Sequence, residues 1–492
     1  MSRPAVAVVL VLLTALVRAH PFLEGNDDGD VGAYILGGRA LLHGALPYTT
    51  VWEYKPPGLF ALFALALAVA GDGSRAAALL DLIAALATTL ILWRLVARIS
   101  GSERAGVLAA VLWACLSIEN DGLIGDAELL AVPFAAGSLL ALTGRPRYGR
   151  IALAGLLAAC AVQMKLSMLP FALVPALAAL LARGVPAVIA FTGAFVAPVL
   201  VEAGVYALAH RIDDLYDANV GATLRRMGSR GAVRPLPRDF AAELRLLTPA
   251  WELAPFAVLR ANGWIGLVAL WLALGALTLI AVGEYDARQF LPLVAPLAAL
   301  GGIGADRIAA RVRAPARTAF VAVLVVATFF LHGYFEANSS ARIVWMRTVR
   351  GEHDWRISEG DRLVRRLRAY PLAHDGVWFV EETPLMYDRL GVAAPTRYPE
   401  TSNLFNPALW PMLGISGADE LRRIVDCARP RWIVVKRCGP WCDAATRDAT
   451  LARIRAGYGV AARLDYRTVL YRRNDAAAPA CSRTPIAAPP RG

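Results

Sequence analysis

Charged residues are few in this chain. Asp, Glu, Lys and Arg make up 18% of its 492 residues, against 57% hydrophobic ones, and the mean hydropathy is +0.49. That balance over this length excludes an ordinary soluble protein. No RNA- or DNA-binding motif is present, so the net charge of +12 does not indicate nucleic acid. In a membrane chain it reflects Lys and Arg in cytoplasmic loops and beside lipid phosphates. No P-loop and no Gly-rich dinucleotide fingerprint occur, which argues against a nucleotide cofactor. No internal repeat is evident, which argues against a transporter built from two similar halves. Cysteine is limited to six residues. Cys115 and Cys160 lie in apolar runs and read as core residues. Cys427, Cys438, Cys442 and Cys481 fall in the polar C-terminal part, where an even number permits disulfides if that part faces an oxidising compartment. No His cluster accompanies Cys438 and Cys442, which weakens a zinc reading of that pair.

Apolar segments, by contrast, are abundant. They run over 5–18, 58–71, 76–96, 104–118, 128–142, 150–164, 169–182, 185–208, 246–259, 263–283, 288–305 and 315–333. Several are shorter than the ~20 residues of a straight span. Residues 1–19 resemble a signal peptide, but Arg18 and His20 crowd the cleavage position, so a retained first helix is expected. Three basic loops, at Arg94/Arg98/Arg104, Arg145/Arg147/Arg150 and Arg307/Arg311/Arg313/Arg317, should be cytoplasmic, whereas 119–128 and 283–289 should face outward. This parity requires that 58–71 does not cross but lies along the interface or dips in and returns. The expectation is a polytopic α-helical membrane domain over 1–334, with about 11 spans, the N-terminus inside and an outer loop at 20–57. Residues 208–245 form a polar loop carrying candidate surface helices. From about residue 335 the pattern changes. GDRLVRRLRAY reads as an amphipathic helix, GVWFVEE and RWIVVKR as short buried strands, and ARLDYRTVLYRR as a terminal strand or pair. That alternation predicts a small α/β domain over 335–474, on the extracytoplasmic side, followed by a disordered tail at 475–492.

One stretch stands out: NDDGDVGAYILGGRALLHGALPYTTVWEYKPPG, residues 26–58. GAYILGGRALLHG has loosely helical apolar spacing and predicts a short helix on the membrane surface. Asp30 lies near its N-terminus, where a carboxylate is favoured. Asp27, Asp28 and Asp30 either cap that helix and solvate the loop or do chemistry. Pro56 and Pro57 fix the backbone where the next helix begins. Lys55 is then held at membrane depth, where an ammonium pairs with a lipid phosphate or snorkels.

The order Asp30, Tyr34, Arg39, Gly44, Pro47-Tyr48, Lys55-Pro56-Pro57 resembles the first outer loop of the GT-C membrane glycosyltransferases. The likeness is to the bacterial branch that includes the lipid A aminoarabinose transferase and the rhizobial lipopolysaccharide glycosyltransferases, with the protein O-mannosyltransferases more distant. It extends weakly to 79–99, to 288–300 and to the C-terminal domain. The resemblance implies an inner-membrane enzyme that takes a sugar from a polyprenyl-phosphate donor on the extracytoplasmic side. A lipid, polysaccharide or protein would accept it, with membrane lipids as surroundings. It implies that Asp30 is the general base or orients the acceptor. The usual Asp-Glu pair is here Asp30-Val31, so Asp28 supplies the second carboxylate or none does, and use of a divalent metal ion stays open. Lys55 matches the lysine that contacts the donor phosphate. Glu128, with Asp126 as runner-up, matches an acid of the second outer loop that would share a metal ion with Asp30 or position the acceptor. Asp126 equally suits an N-cap. Lys165 and Arg288, at outward helix ends, either neutralise the donor phosphate or snorkel. The chemistry is coherent: cations stabilise the leaving phosphate, and a carboxylate accepts the acceptor's proton. Two other readings compete. A transporter or flippase of lipid-linked sugars predicts acids at mid-span. A non-catalytic relative is compatible with Val31.

Overall fold

All twelve apolar segments lie on helices in the computed structural model, which describes residues 2–474 except 26, 120, 230–239, 260, 284, 373–375, 438 and 440–441. Among the described residues, six helices are long and apolar enough to cross a membrane: Gly73–Ser100, Leu166–Arg183, Val185–Leu208, Gly263–Val282, Ala287–Ala310 and Ala314–Thr348. Arg3–Val17, Pro57–Ala70, Ala127–Leu142 and Tyr148–Met164 are shorter apolar helices. The chain is a multi-pass membrane protein, and its long described helices are fewer than the about 11 spans expected. Pro57–Ala70 rises about 21 Å, short of a ~30 Å hydrocarbon core.

The boundary expected at 334 falls inside a helical segment. Ala314–Thr328, a π-helical turn at Phe329–Gly333 and Tyr334–Thr348 run on without a break. The apolar pattern ends near 333, but nothing in the sequence that follows stops a helix before Arg350-Gly351. The tail expected at 475–492, with Cys438 and Cys481, lies outside the described residues.

The chain forms two compact units that interleave in sequence. The first comprises Met1–Glu24, Ala78–Val205 and Ala232–Arg356. Its centre is the helix Leu291–Ala310, which packs against Glu103–Leu116 and Ala250–Val258. A side chain at Gly302 would place its Cβ 2.5 Å from Ala109 N and 2.7 Å from Ala105 O, so glycine is what lets those two backbones touch. The first helix is tied down at its C-terminal end. Arg18 is fully buried and pairs with Asp81 at 2.7 Å. It also donates to Gly122 O at 2.7 Å and to Ser117 O at 2.9 Å. Arg18, which crowds the cleavage position considered for residues 1–19, is thus a structural group.

The second unit comprises Gly25–Ala77, Tyr206–Gly231 and Ile357–Gly492. It holds a four-stranded sheet in the order β1-β2-β4-β3, with β1 Val377–Val380, β2 Trp432–Lys436, β3 Tyr458–Arg463 and β4 Thr468–Arg473. β1 and β2 are parallel, and the other pairs antiparallel. Val377 and Phe379 enter one core with Trp432 and Val434, while Trp378 and Val380 enter another with Ile433. Both faces are therefore covered, which is why these strands read as continuous apolar runs. The amphipathic helix forms at Glu359–Leu367, capped by Ser358, whose Oγ accepts from Asp361 N at 3.0 Å. The polar segment read as surface helices is instead docked on this unit. Ala222 is buried in the core with Trp378, and Arg225 donates to Pro411 O at 2.8 Å.

Removing one partner of a buried ion pair strands the other charge, at about 3–5 kcal/mol. Arg18→Met should therefore lower the unfolding temperature of the detergent-solubilised protein sharply. Arg18→Met with Asp81→Leu should recover much of the loss in the same melting measurement.

Candidate functional site

The loop between the helices Gly29–Leu42 and Pro57–Ala70 is pinned from several sides. Tyr48 adopts φ +73°, a left-handed conformation unusual for a bulky residue. Its N donates to Val51 O at 3.0 Å, its hydroxyl donates to Lys55 O at 2.6 Å, and Asn219 Nδ2 donates to that hydroxyl at 2.9 Å. Trp52 is buried beside Tyr398, with ring centroids 5.7 Å apart, and Trp52 N donates to Arg397 O at 2.6 Å. The helices flanking the loop lie close. A Cβ on Gly38 would sit 2.9 Å from Ala64 N. Asp28 is the N-cap of the first helix, its Oδ1 accepting from Val31 N at 3.0 Å. Asp27 holds the preceding turn, accepting from Gly360 N at 2.9 Å and pairing with Arg389 at 2.6 Å.

This frame gathers three carboxylates. Asp30, in the first turn of its helix, Glu53 and Glu400 each offer an oxygen, and the three oxygens lie within 4.8 Å of one another. Glu53 and Lys55 are only 3% and 4% exposed. Lys55 Nζ lies 3.5 Å from Glu53 Oε1, 4.1 Å from the centroid of the Tyr54 ring and 5.3 Å from that of Tyr34. Arg226 stands over Tyr54 at 4.8 Å, and its charge acts on Glu53 and Asp30. Burial raises Glu53 above the ordinary carboxyl range, an effect that the Lys55 ammonium opposes. Glu400 accepts from Ser402 Oγ at 2.9 Å and Asn403 Nδ2 at 3.2 Å. Burial, and then the negative charges of Asp30 and Glu53, push it up to about 8, so Glu400 carries a proton at neutral pH. The arrangement offers a proton acceptor, a proton store and two cations, and a hard divalent ion would suit its oxygens.

The remaining expected site residues belong to the first compact unit and pair with one another. Asp126 caps Ala127–Leu142, its Oδ1 accepting from Ala127 N at 2.7 Å, and pairs with Arg288 at 3.0 Å. Glu128 pairs with Lys165, which also donates to Gln289 Oε1 at 2.7 Å. Of the three acids expected to share a metal ion, Asp30 alone is in the carboxylate cluster described here. Asp126 and Glu128 have arginine and lysine partners within the first unit. Likewise Asp28 serves as a cap, and the acid beside Asp30 is Glu53, two residues before Lys55.

Residues 54–211 match the model of the dolichyl-phosphate-mannose-protein mannosyltransferase family. The structure of ArnT from Cupriavidus metallidurans bound to undecaprenyl phosphate is similar, with a TM-score of 0.64 at 12% identity over 96% of this chain and 98% of that one. The apo state of that ArnT matches with a TM-score of 0.62 at 13% identity over the same shares. The fold is that of the GT-C membrane glycosyltransferases. The oligosaccharyltransferase AglB from Archaeoglobus fulgidus, in complex with an inhibitory peptide and a dolichol phosphate, is similar at a TM-score of 0.51 and 13% identity, over 88% of this chain and 69% of its own. No curated protein sequence matches the chain.

Within this GT-C fold, three residues escaped the sequence reading. Glu53 had a local signal, since it stands next to Tyr54-Lys55 in WEYKPP. Glu400 and Arg226 had none, because nothing near either one marks it as facing an acid from residue 30.

A carboxyl whose folded-state value lies above its unfolded one binds more protons when folded, so stability falls as pH rises through the interval. For Glu400 that interval runs from the ordinary 4.5 to about 8. Thermal melts between these pH values should show wild-type stability declining, and Glu400→Gln should flatten the decline.

Proposed function

We propose that the protein is a glycosyltransferase that moves a sugar from a polyprenyl-phosphate donor to a lipid, polysaccharide or protein acceptor. The observation that carries this reading is the convergence of Asp30, Glu53 and Glu400 with Lys55 and Arg226 at the start of a GT-C fold. The likeness to an undecaprenyl phosphate complex supports the class of donor.

The step balances without a nucleotide. The acceptor oxygen attacks the anomeric carbon, the bond from that carbon to the phosphate oxygen breaks, and polyprenyl phosphate leaves with the electron pair. Asp30 takes the acceptor's proton. Lys55 and Arg226 offset the charge that grows on the leaving phosphate, in a site where low solvent access strengthens them. Glu53 holds Lys55 in place. Glu400, protonated at neutral pH, keeps the acids from repelling the phosphate. A divalent ion held by Asp30, Glu53 and Glu400 would displace that proton from Glu400 and would then supply the positive charge itself.

The site and the C-terminal domain are assigned to the extracytoplasmic side of an inner membrane. Cys427 and Cys442 are each disulfide-bonded, and such bonds persist in oxidising compartments. The loop at 25–77 belongs to the same compact unit as those cysteines, so it shares their side.

Asp30→Asn should lower transfer about 10²–10⁴-fold, the usual share of a general base, with expression and membrane insertion unchanged. Transfer at a normal rate would overturn the assignment. Lys55→Ala and Arg226→Ala should weaken binding of undecaprenyl phosphate by the purified protein. A loss confined to acceptor use would argue against phosphate contact. Mass spectrometry of envelope glycans from a deletion strain identifies the sugar and its acceptor.

A further inference from the structure

A second site lies in the C-terminal domain. Where β2 ends and β4 begins, they and the helix Ala444–Gly457 border a cavity of about 340 Å³. That is within the ~300–1,000 Å³ typical of small-molecule sites. None of Asp30, Glu53, Lys55, Arg226 or Glu400 lines it. Its floor is apolar and aromatic, formed by Val435, Val469 and Tyr471 from the strands and by Leu451 and Ile454 from the helix.

Its walls are cationic for a reason that can be followed in the register. Val435 pairs with Val469 and Lys436 with Thr468, and Arg437 N donates to Arg467 O at 3.0 Å. The next pair along the ladder therefore sets Arg437 against Arg467. Two like charges opposite each other destabilise a strand pair. The helix adds Arg447 and Arg455, which share one face with Leu451 at intervals of four residues. Lys436, Arg437, Arg447, Arg455 and Arg467 are among the residues that line the cavity, and Asp448 is its single acid.

Some of that charge is already answered. Arg447 pairs with Asp448 at 2.8 Å, and Lys436 with Glu359 at 3.3 Å and Glu382 at 3.6 Å. Among the ion pairs of the described residues, none includes Arg437, Arg455 or Arg467. Three arginines thus edge one concave space, and two of them are held together by the sheet against their repulsion. An anion removes that cost. Guanidinium groups favour phosphate because their paired N–H donors match its oxygens, while Tyr471 and the aliphatic floor suit the body of a sugar ring.

We propose that this cavity binds a saccharide carrying a phosphomonoester, with the phosphate across Arg437, Arg455 and Arg467. The site does not depend on the sugar-transfer reading. The phosphorylated ring can come as a free sugar phosphate or as a lipid headgroup.

The test uses the full chain in an uncharged detergent, with glucose 6-phosphate and glucose as calorimetric probes. Glucose 6-phosphate should bind and glucose should not, with affinity falling as salt rises. Arg437→Ala with Arg467→Ala should weaken that binding at least about tenfold, roughly 1.4 kcal/mol. Arg455→Ala, on an exposed helix face, should weaken it in the same direction and guards against a folding defect in the strand variant. Lys55→Ala should leave it unchanged, which separates this cavity from the acid–cation site. In nanodiscs of phosphatidylcholine, phosphatidylinositol 4-phosphate should displace glucose 6-phosphate if a headgroup is the source. Failure to displace identifies the free sugar phosphate. Equal binding of glucose and glucose 6-phosphate, undiminished binding by both arginine variants, or loss of binding in Lys55→Ala overturns the proposal.

Discussion

Three carboxylates brought within 4.8 Å of one another repel, and burial makes the repulsion worse because little water screens it. The arrangement persists because a lysine and an arginine stand beside it and because one acid holds a proton. The surroundings leave none of these groups much freedom. Lys55 is walled by two aromatic rings, and Tyr48 is locked in a conformation that its hydroxyl contacts stabilise. Trp52 anchors the loop in the core next to the sheet. The energetic tension of the site is thus borne by packing elsewhere in the same compact unit, an arrangement expected where preorganised charge is to act on a substrate.

Much of the scaffold was legible in the sequence because it is encoded locally. Apolar runs gave all twelve helical segments, and short continuous runs of valine, isoleucine and aromatic residues gave the buried strands. Pro56-Pro57 marked the start of a helix, and Asp30 fell in the first turn of another. The site was half legible. Asp30 and Lys55 stand in one short stretch whose spacing carries a family likeness. Glu400 and Arg226 reach them only because the chain returns after hundreds of residues, and local pattern holds no record of that. Asp126 and Glu128 show the opposite difficulty. Each has an acid's proper place at a helix start, and only tertiary contacts reveal Arg288 and Lys165 as their partners. The boundary expected at 334 marks where hydropathy stops, while helix propensity carries the segment on to Thr348.

The similarity to ArnT spans nearly the full length of both chains at 12% identity. Membrane helices meet few demands beyond apolarity and close approach at small residues, so many sequences can satisfy one path through the bilayer. Chemistry is more particular. A fold shared at this level leaves function to be decided by side chains, and the carboxylate cluster of this chain draws its members from the loop at 25–77 and from the C-terminal part.

That grip has a consequence for the order of events at the ribosome. Asp30 and Lys55 are among the first residues made, whereas Glu400 and the strands that seat Trp52 are among the last. A nascent chain can thread its helices into the bilayer long before its acids are assembled. A polypeptide halted before residue 377 would therefore carry its apolar helices yet lack Glu400 and the strands that seat Trp52.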